Sequence, residues 1–229
     1  MGDRRIITFD IETAPTNDEV VIAKIAERIE APKNYKDEEK IAAYKEQKLI
    51  EEVRATALNP TFGRAIGFAV YDGEQLAVMV SDDEKKLLHA LATKLASIYG
   101  SLKPKANKAV IAGHNIIGFD FPFILRRAII LESERVLQIA REGLIPRPLD
   151  PAWRIEHVVD TMLAWGKPYA RLKDIAQAMG LLDGTEDDMD GNATLEAYLS
   201  GDLKAVEAHV KNDVIINHRV ALKMMGVFW

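Results

Sequence analysis

Residues 5–13 read Arg5-Ile6-Ile7-Thr8-Phe9-Asp10-Ile11-Glu12-Thr13, an apolar run that closes on two carboxylates two positions apart. Ile6, Ile7, Phe9 and Ile11 are β-branched or aromatic and crowd a short stretch, the pattern of a strand buried on both faces. Alternate side chains of a strand share a face, so Asp10 and Glu12 project together. Two ionised carboxylates held that close repel each other. Near a sheet centre they require a cation, and hard divalent ions prefer such oxygen donors. The competing reading is a strand end where solvated acids mark the exit. Ligands elsewhere in the chain decide between the two.

The chain has 229 residues, of which 48% are hydrophobic. That is enough for one large domain, and at this length about 70–75% of the unfolded surface leaves water on folding. A net charge of −5 excludes a broadly basic surface that coats nucleic acid. It does not exclude an acidic metal site, because bound cations reverse the local field. Cysteine is absent, which excludes disulfides, thiolate catalysis and zinc–thiolate sites. The start, MGDRRIITFD, lacks the apolar run of a signal peptide, and no apolar run reaches membrane-spanning length. Ile6 stands where a myristoylation signal has Ser or Thr. A soluble, cytoplasmic protein with no membrane partner is expected, and with the chain stopping at Trp229 no polymerase domain is expected to follow.

Outward from the first strand, Pro15 breaks the pattern and residues 18–30 carry apolar side chains at helical spacing. After the break APKNY, residues 36–57 are highly charged and helical in composition. Both segments form a helical insertion of about 16–60 within a single domain spanning 1–229. Its Lys33, Lys36, Lys40, Lys45 and Lys48 either solvate a helix face or help hold a phosphate backbone. Residues 63–71 and 75–80, joined by Asp72-Gly73, predict a hairpin. Ser81 with Glu84 has capping-box spacing and predicts a helix over 82–99. A buried strand at 108–113, a helix at 132–142, an irregular connection at 145–153 and a short strand at 157–160 follow. Asp160 is the expected N-cap of the next helix, and 171–180 is an amphipathic helix closed by Gly180. Residues 183–192 are acidic and turn-rich without the spacing of a calcium loop, and are expected to form a surface loop. Strand, hairpin, helix, strand and further helices predict an α/β fold with a mixed sheet flanked by helices.

Two more stretches carry chemistry. In His114-Asn115-Ile116-Ile117-Gly118-Phe119-Asp120-Phe121-Pro122 a strand ends at polar residues and a helix begins near Asp120. Asp120 alone reads as a helix N-cap, and beside Asp10 and Glu12 as a further ligand at the carboxyl end of a central strand. Asn115 is positioned to reach a nucleotide or to orient the acids. Phe119, Phe121 and Phe123 fit the core, or one of them stacks under a base. In the last helix, about 202–225, His209 and Asp213 are four apart and share a face. In isolation that pair is a surface contact; with the other acids it completes a set.

In this order, Asp10-Ile11-Glu12, Asn115 through Asp120, and His209 through Asp213 resemble the three motifs of the DEDD superfamily of 3′–5′ exonucleases, which have a ribonuclease H-like fold. Further similarity, in KNYKDEEKI, VVDTMLAW and DMDG, is to stand-alone relatives of the proofreading exonuclease domain of family B DNA polymerases. The resemblance implies hydrolysis of single-stranded ends, DNA before RNA, with release of nucleoside monophosphates. It implies two Mg²⁺ or Mn²⁺ ions held by Asp10, Glu12, Asp120 and Asp213, and His209 as the group that orients or deprotonates water. It also implies substrate contacts from Ile11, Thr13, Asn115 and Phe119, and a replication or repair partner at the 16–60 insertion. One motif departs from the family. The polymerase-like branch has Tyr four residues before the final Asp and the His branch has His five before it, whereas His209 stands at the Tyr spacing. An exoribonuclease of the same fold, or a catalytically weak nucleic-acid-binding module, are the alternative readings.

Overall fold

Along the first strand, β1 (Arg5–Ala14), odd and even positions go to different layers. Ile7, Phe9 and Ile11 enter a large apolar cluster with α3 (Glu84–Ser101), α4 (Asp120–Ile130) and α5 (Glu134–Arg141). Ile6 turns the other way, to a cluster with Ala221 of the long terminal helix α9 (Leu203–Phe228). Thr8, Asp10 and Glu12 share the parity of Ile6 and so face α9. The structure, a computed structural model, describes residues 5–101, 109–146, 157–184 and 189–228.

The sheet has five strands in the order β3-β2-β1-β4-β5. β2 (Arg64–Tyr71) and β3 (Leu76–Val80) pair antiparallel, and β4 (Ala109–Gly113) and β5 (Val158–Asp160) run parallel to β1. Asp-Gly makes the hairpin because the Asp72 carboxylate accepts from Glu74 N and Gln75 N while Gly73 takes φ +93°. In register, Thr8 lies opposite Ala112 and Gly113 opposite Asp160. Asp10 therefore stands just past the end of β4, where the sheet opens at the carboxyl edge of its three parallel strands.

Helices differ from expectation at two points. The Ser81–Glu84 capping box does not form: α3 begins at Glu84, with Asp83 Oδ1 accepting from Lys86 N at 3.0 Å. Ser81 N, which a capping Glu would satisfy, already donates to Ile66 O in the sheet. Glu84 instead turns inward, accepting from Ala65 N at 2.8 Å and pairing with Arg127 of α4 at 2.7 Å. The acidic stretch at 183–192 also ends earlier than expected. Asp190 accepts from Asn192 N and Ala193 N and caps a further helix, α8 (Gly191–Leu199). Within that stretch 185–188, and most of the 145–153 connection, lie outside the described residues. The remaining short helices are α6 (Thr161–Trp165) and α7 (Leu172–Ala178).

The backbone partitions into two compact units, Met1–Glu12 with Ala65–Trp229, and Thr13–Arg64. The second holds α1 (Glu19–Arg28), capped by Asp18, and α2 (Glu38–Ala55), capped by Asp37. Inside it Lys40 stands 4.4 Å from the Tyr35 ring centroid, and Lys48 pairs with Glu51 and Glu52. No described helix is long and apolar enough to cross a membrane.

Candidate active site

Four carboxylates and one imidazole meet at the carboxyl edge between β1, α4 and α9. β1 supplies Asp10 and Glu12 from the face turned to α9. Asp120 opens α4 and is 3% exposed. It does not cap its own helix in the usual way. Its Oδ1 reaches across to accept from Ile11 N at 3.2 Å, which fastens the helix start to β1 between the two acids. From α9, one turn apart, come His209 (4% exposed) and Asp213. His209 Nε2 stands 3.6 Å from Glu12 Oε1 and 3.8 Å from Asp213 Oδ2, facing one acid of the strand and one of its own helix.

The electrostatics follow from this crowding. Burial, and then the charges of Asp120, Glu12 and Asp213, hold the Asp10 carboxyl well above the ordinary carboxylate range. Burial pushes Asp120 up to about 7, against the hydrogen bonds it accepts from its own N–H and from Ile11, with Asp160 adding a smaller push. Among the described residues no three of these side chains converge tightly enough to hold one ion as they stand. The donor set nevertheless fits a hard divalent cation: four carboxylates and no thiolate. Such an ion would offset the carboxylate repulsion that adds to burial in raising Asp10.

The loop after β4 is built by two exact-fit contacts. Asn115 is left-handed, with φ 61°, and its N–H donates to Asp160 Oδ1 at 3.1 Å. Its side-chain oxygen folds over Gly118, where an added Cβ would come within 2.4 Å of it. Of the expected substrate contacts, Asn115 and Phe119 are half-buried in this loop, Phe119 leaning on Phe123 at 5.4 Å between ring centroids. Phe121 and Phe123 are core. The Ile11 side chain is core as well, so only its backbone lies at the site. Thr13 opens the second compact unit and is half-buried there.

Several polar supports are not announced by the sequence. Asp160 is more than an N-cap, since its two oxygens accept from Met162 N, Leu163 N, Asn115 N and Ile117 N. Thr161 joins Asn217 of α9 to His114, and His218 Nδ1 meets Thr8 Oγ1 at 3.0 Å two positions before Asp10. The N-cap role of Asp160 is legible from a strand–helix junction. Its two loop donors and the α9 ties depend on residues far away in the chain.

A mixed five-stranded sheet with helices on both faces and acids at its carboxyl edge defines a ribonuclease H-like α/β domain. Residues 3–150 match the family described as DNA polymerase family B, exonuclease domain, and the chain belongs to that family. The match takes in Asp10, Glu12, Asn115 and Asp120; His209 and Asp213 lie beyond it. The fold is similar to the structure of the family B DNA polymerase from the hyperthermophilic archaeon Pyrobaculum calidifontis, with TM-score 0.59 and 16% identity. That likeness covers 98% of this chain and 25% of the polymerase, so the chain spans about a quarter of its length. No curated protein matches the chain in sequence.

Proposed function

We propose that the chain is a divalent-metal-dependent 3′–5′ exonuclease that removes nucleoside monophosphates from single-stranded ends, DNA before RNA. The observation that carries this reading is the crowding of Asp10 by Glu12, Asp120 and Asp213 at the open carboxyl edge, with His209 against two of them. Asp10, Glu12, Asp120 and Asp213 would hold two Mg²⁺ or Mn²⁺ ions, which would supply activation of water and neutralisation of the leaving oxygen. The chain's own residues do the rest. Asp120, anchored to Ile11 N, fixes the acids of β1 relative to α4. His209, held between Glu12 and Asp213, orients the attacking water or takes its proton through Nε2. Water adds to phosphorus, the P–O3′ bond breaks, and a nucleoside 5′-monophosphate leaves. Asn115 and Phe119, on the loop beside Asp120, bind the terminal nucleotide in this reading. The domain is read as 1–229, with the 16–60 insertion as the surface for a replication or repair partner; α1 and α2 bury none of their residues.

The test is degradation of a 5′-labelled single-stranded DNA oligonucleotide in Mg²⁺ or Mn²⁺, beside an Asp10→Ala variant and a matched RNA. The expected result is a ladder shortening from the 3′ end, lost in the variant and weaker on RNA. A ladder that persists in Asp10→Ala overturns the assignment of the site. Binding without cleavage in either metal makes the protein a nucleic-acid-binding module instead.

A further inference from the structure

Beyond β5 the chain leaves the carboxyl edge and turns two aromatic side chains to water. Asp160 ends β5 and holds two things at once, the start of α6 and the Asn115 loop. On the inner side of the next ten residues, Ala164 and Ala170 pack against Leu172, Ile175, Ile216 and Val220. The His114 ring is hydrogen-bonded to the Ala170 backbone. Neighbouring Leu163, Trp165 and Tyr169 are instead 45%, 44% and 50% exposed. The Lys167 ammonium stands 5.9 Å from the Tyr169 ring centroid. The segment is tied near both ends to the loop after β4, and within seven residues it shows Leu, Trp and Tyr to solvent.

We infer that Trp165 and Tyr169 form a stacking platform for unpaired bases of the single strand whose 3′ end enters the carboxylate site, an inference that rests on the exonuclease reading. Two features select this occupant. The segment begins at Asp160, at the same carboxyl edge as the acids and hydrogen-bonded to the Asn115 loop that leads into Asp120. The chain as a whole carries −5, so it cannot gather a polyanion by a broad basic surface and counterion release. Stacking on aromatic faces supplies affinity that tolerates sequence and needs no net positive charge, and Lys167 adds one local cation.

The experiment is binding of the full chain, in EDTA to prevent turnover, to a fluorescent dT12 and to an abasic strand of the same length. The parent is expected to prefer dT12. Trp165→Ala and Tyr169→Ala are each expected to weaken dT12 about tenfold while leaving the abasic strand within about twofold. Trp165→Phe and Tyr169→Phe, which keep a ring, restore dT12 binding. Quenching of the emission of Trp165 by dT12, read as the difference between the parent and Trp165→Phe, tests the same contact without a truncation. Equal loss for dT12 and the abasic strand, or no loss for either, or no quenching, overturns the platform alone if the parent still shortens DNA from its 3′ end. If the parent neither binds nor cleaves either strand, the exonuclease reading falls with it.

Discussion

Glu84 and Asp160 are buried acids whose charge the fold answers from within, whereas the acids around Asp10 are pressed against one another. Glu84 sits on a guanidinium and a backbone N–H; Asp160 gathers four backbone N–H groups. Both are buried, and both join elements: α3 to α4 and β2, and α6 to the Asn115 loop. At Asp10, Glu12, Asp120 and Asp213 the nearest charges include one another. Asp10 is raised by burial and by the other three acids, and His209 stands at ion-pair distance from Glu12 and Asp213. The contrast separates acids that hold the fold from the acids proposed to take a cation. Removing charge from the two groups therefore has opposite consequences for stability.

The largest effect belongs to Asp10→Asn. Loss of one ligand oxygen's charge is expected to lower the exonuclease rate by at least about 10³-fold. In EDTA the same change relieves repulsion and raises stability by about 1–2 kcal/mol in urea titration. A variant that cleaves within tenfold of the parent, or that is less stable in EDTA, puts Asp10 with the structural acids. Arg127→Met is the converse. It strands Glu84 in the core and is expected to cost about 3–5 kcal/mol. Adding Glu84→Leu recovers only part, because Ala65 N then lacks its acceptor. If Arg127→Met costs less than about 1 kcal/mol, the Glu84 pair contributes no more than a surface contact and the contrast with Asp10 collapses.

What the sequence makes legible follows the range of the interaction concerned. β1, the Asp72-Gly73 hairpin and α9 depend on alternation, a turn pair and helical spacing, all contained within a few residues, and each forms where expected. The gathering of Asp10, Glu12, Asp120, His209 and Asp213 is readable only through the order of three motifs, since nothing local in α9 points to β1. Ser81–Glu84 has the right local spacing for a capping box, but Ile66 and Arg127 compete for its two ends from elsewhere in the fold. α8 lies behind an acidic, Gly-containing stretch whose composition outweighs the single N-cap signal of Asp190. His218 and Thr8 are 210 residues apart, and no periodicity reports such a pair.

Asp160→Asn tests whether the four-donor acid belongs with Glu84. The amide keeps one acceptor oxygen and loses the charge. An expected cost of about 1–3 kcal/mol in urea titration follows, with faster amide exchange at Asn115 and Ile117, whose N–H groups it holds. Unchanged exchange at those two amides removes Asp160 from the support of the loop.

The smallest effect is a pH dependence carried by His218, the tie between α9 and the face of β1 that bears the acids. Its ring is 3.0 Å from Thr8 Oγ1 and edge-on to Tyr71 at 4.9 Å between centroids. Burial lowers its pKa from 6.5, with Asp72 opposing. The folded protein therefore takes up this proton less readily than the unfolded chain. The stabilisation is fully present above about pH 6.5 and is lost as pH falls through the depressed folded value. His218→Gln is expected to cost about 1 kcal/mol at pH 8 through the lost contact with Thr8. The gap between parent and variant narrows as the pH is lowered below that of an ordinary histidine. The acids around Asp10 titrate in both proteins and cancel in the difference, so urea titrations in EDTA at a series of pH values isolate the imidazole. A gap that stays constant with pH means that His218 carries no linked proton and acts on β1 by packing alone.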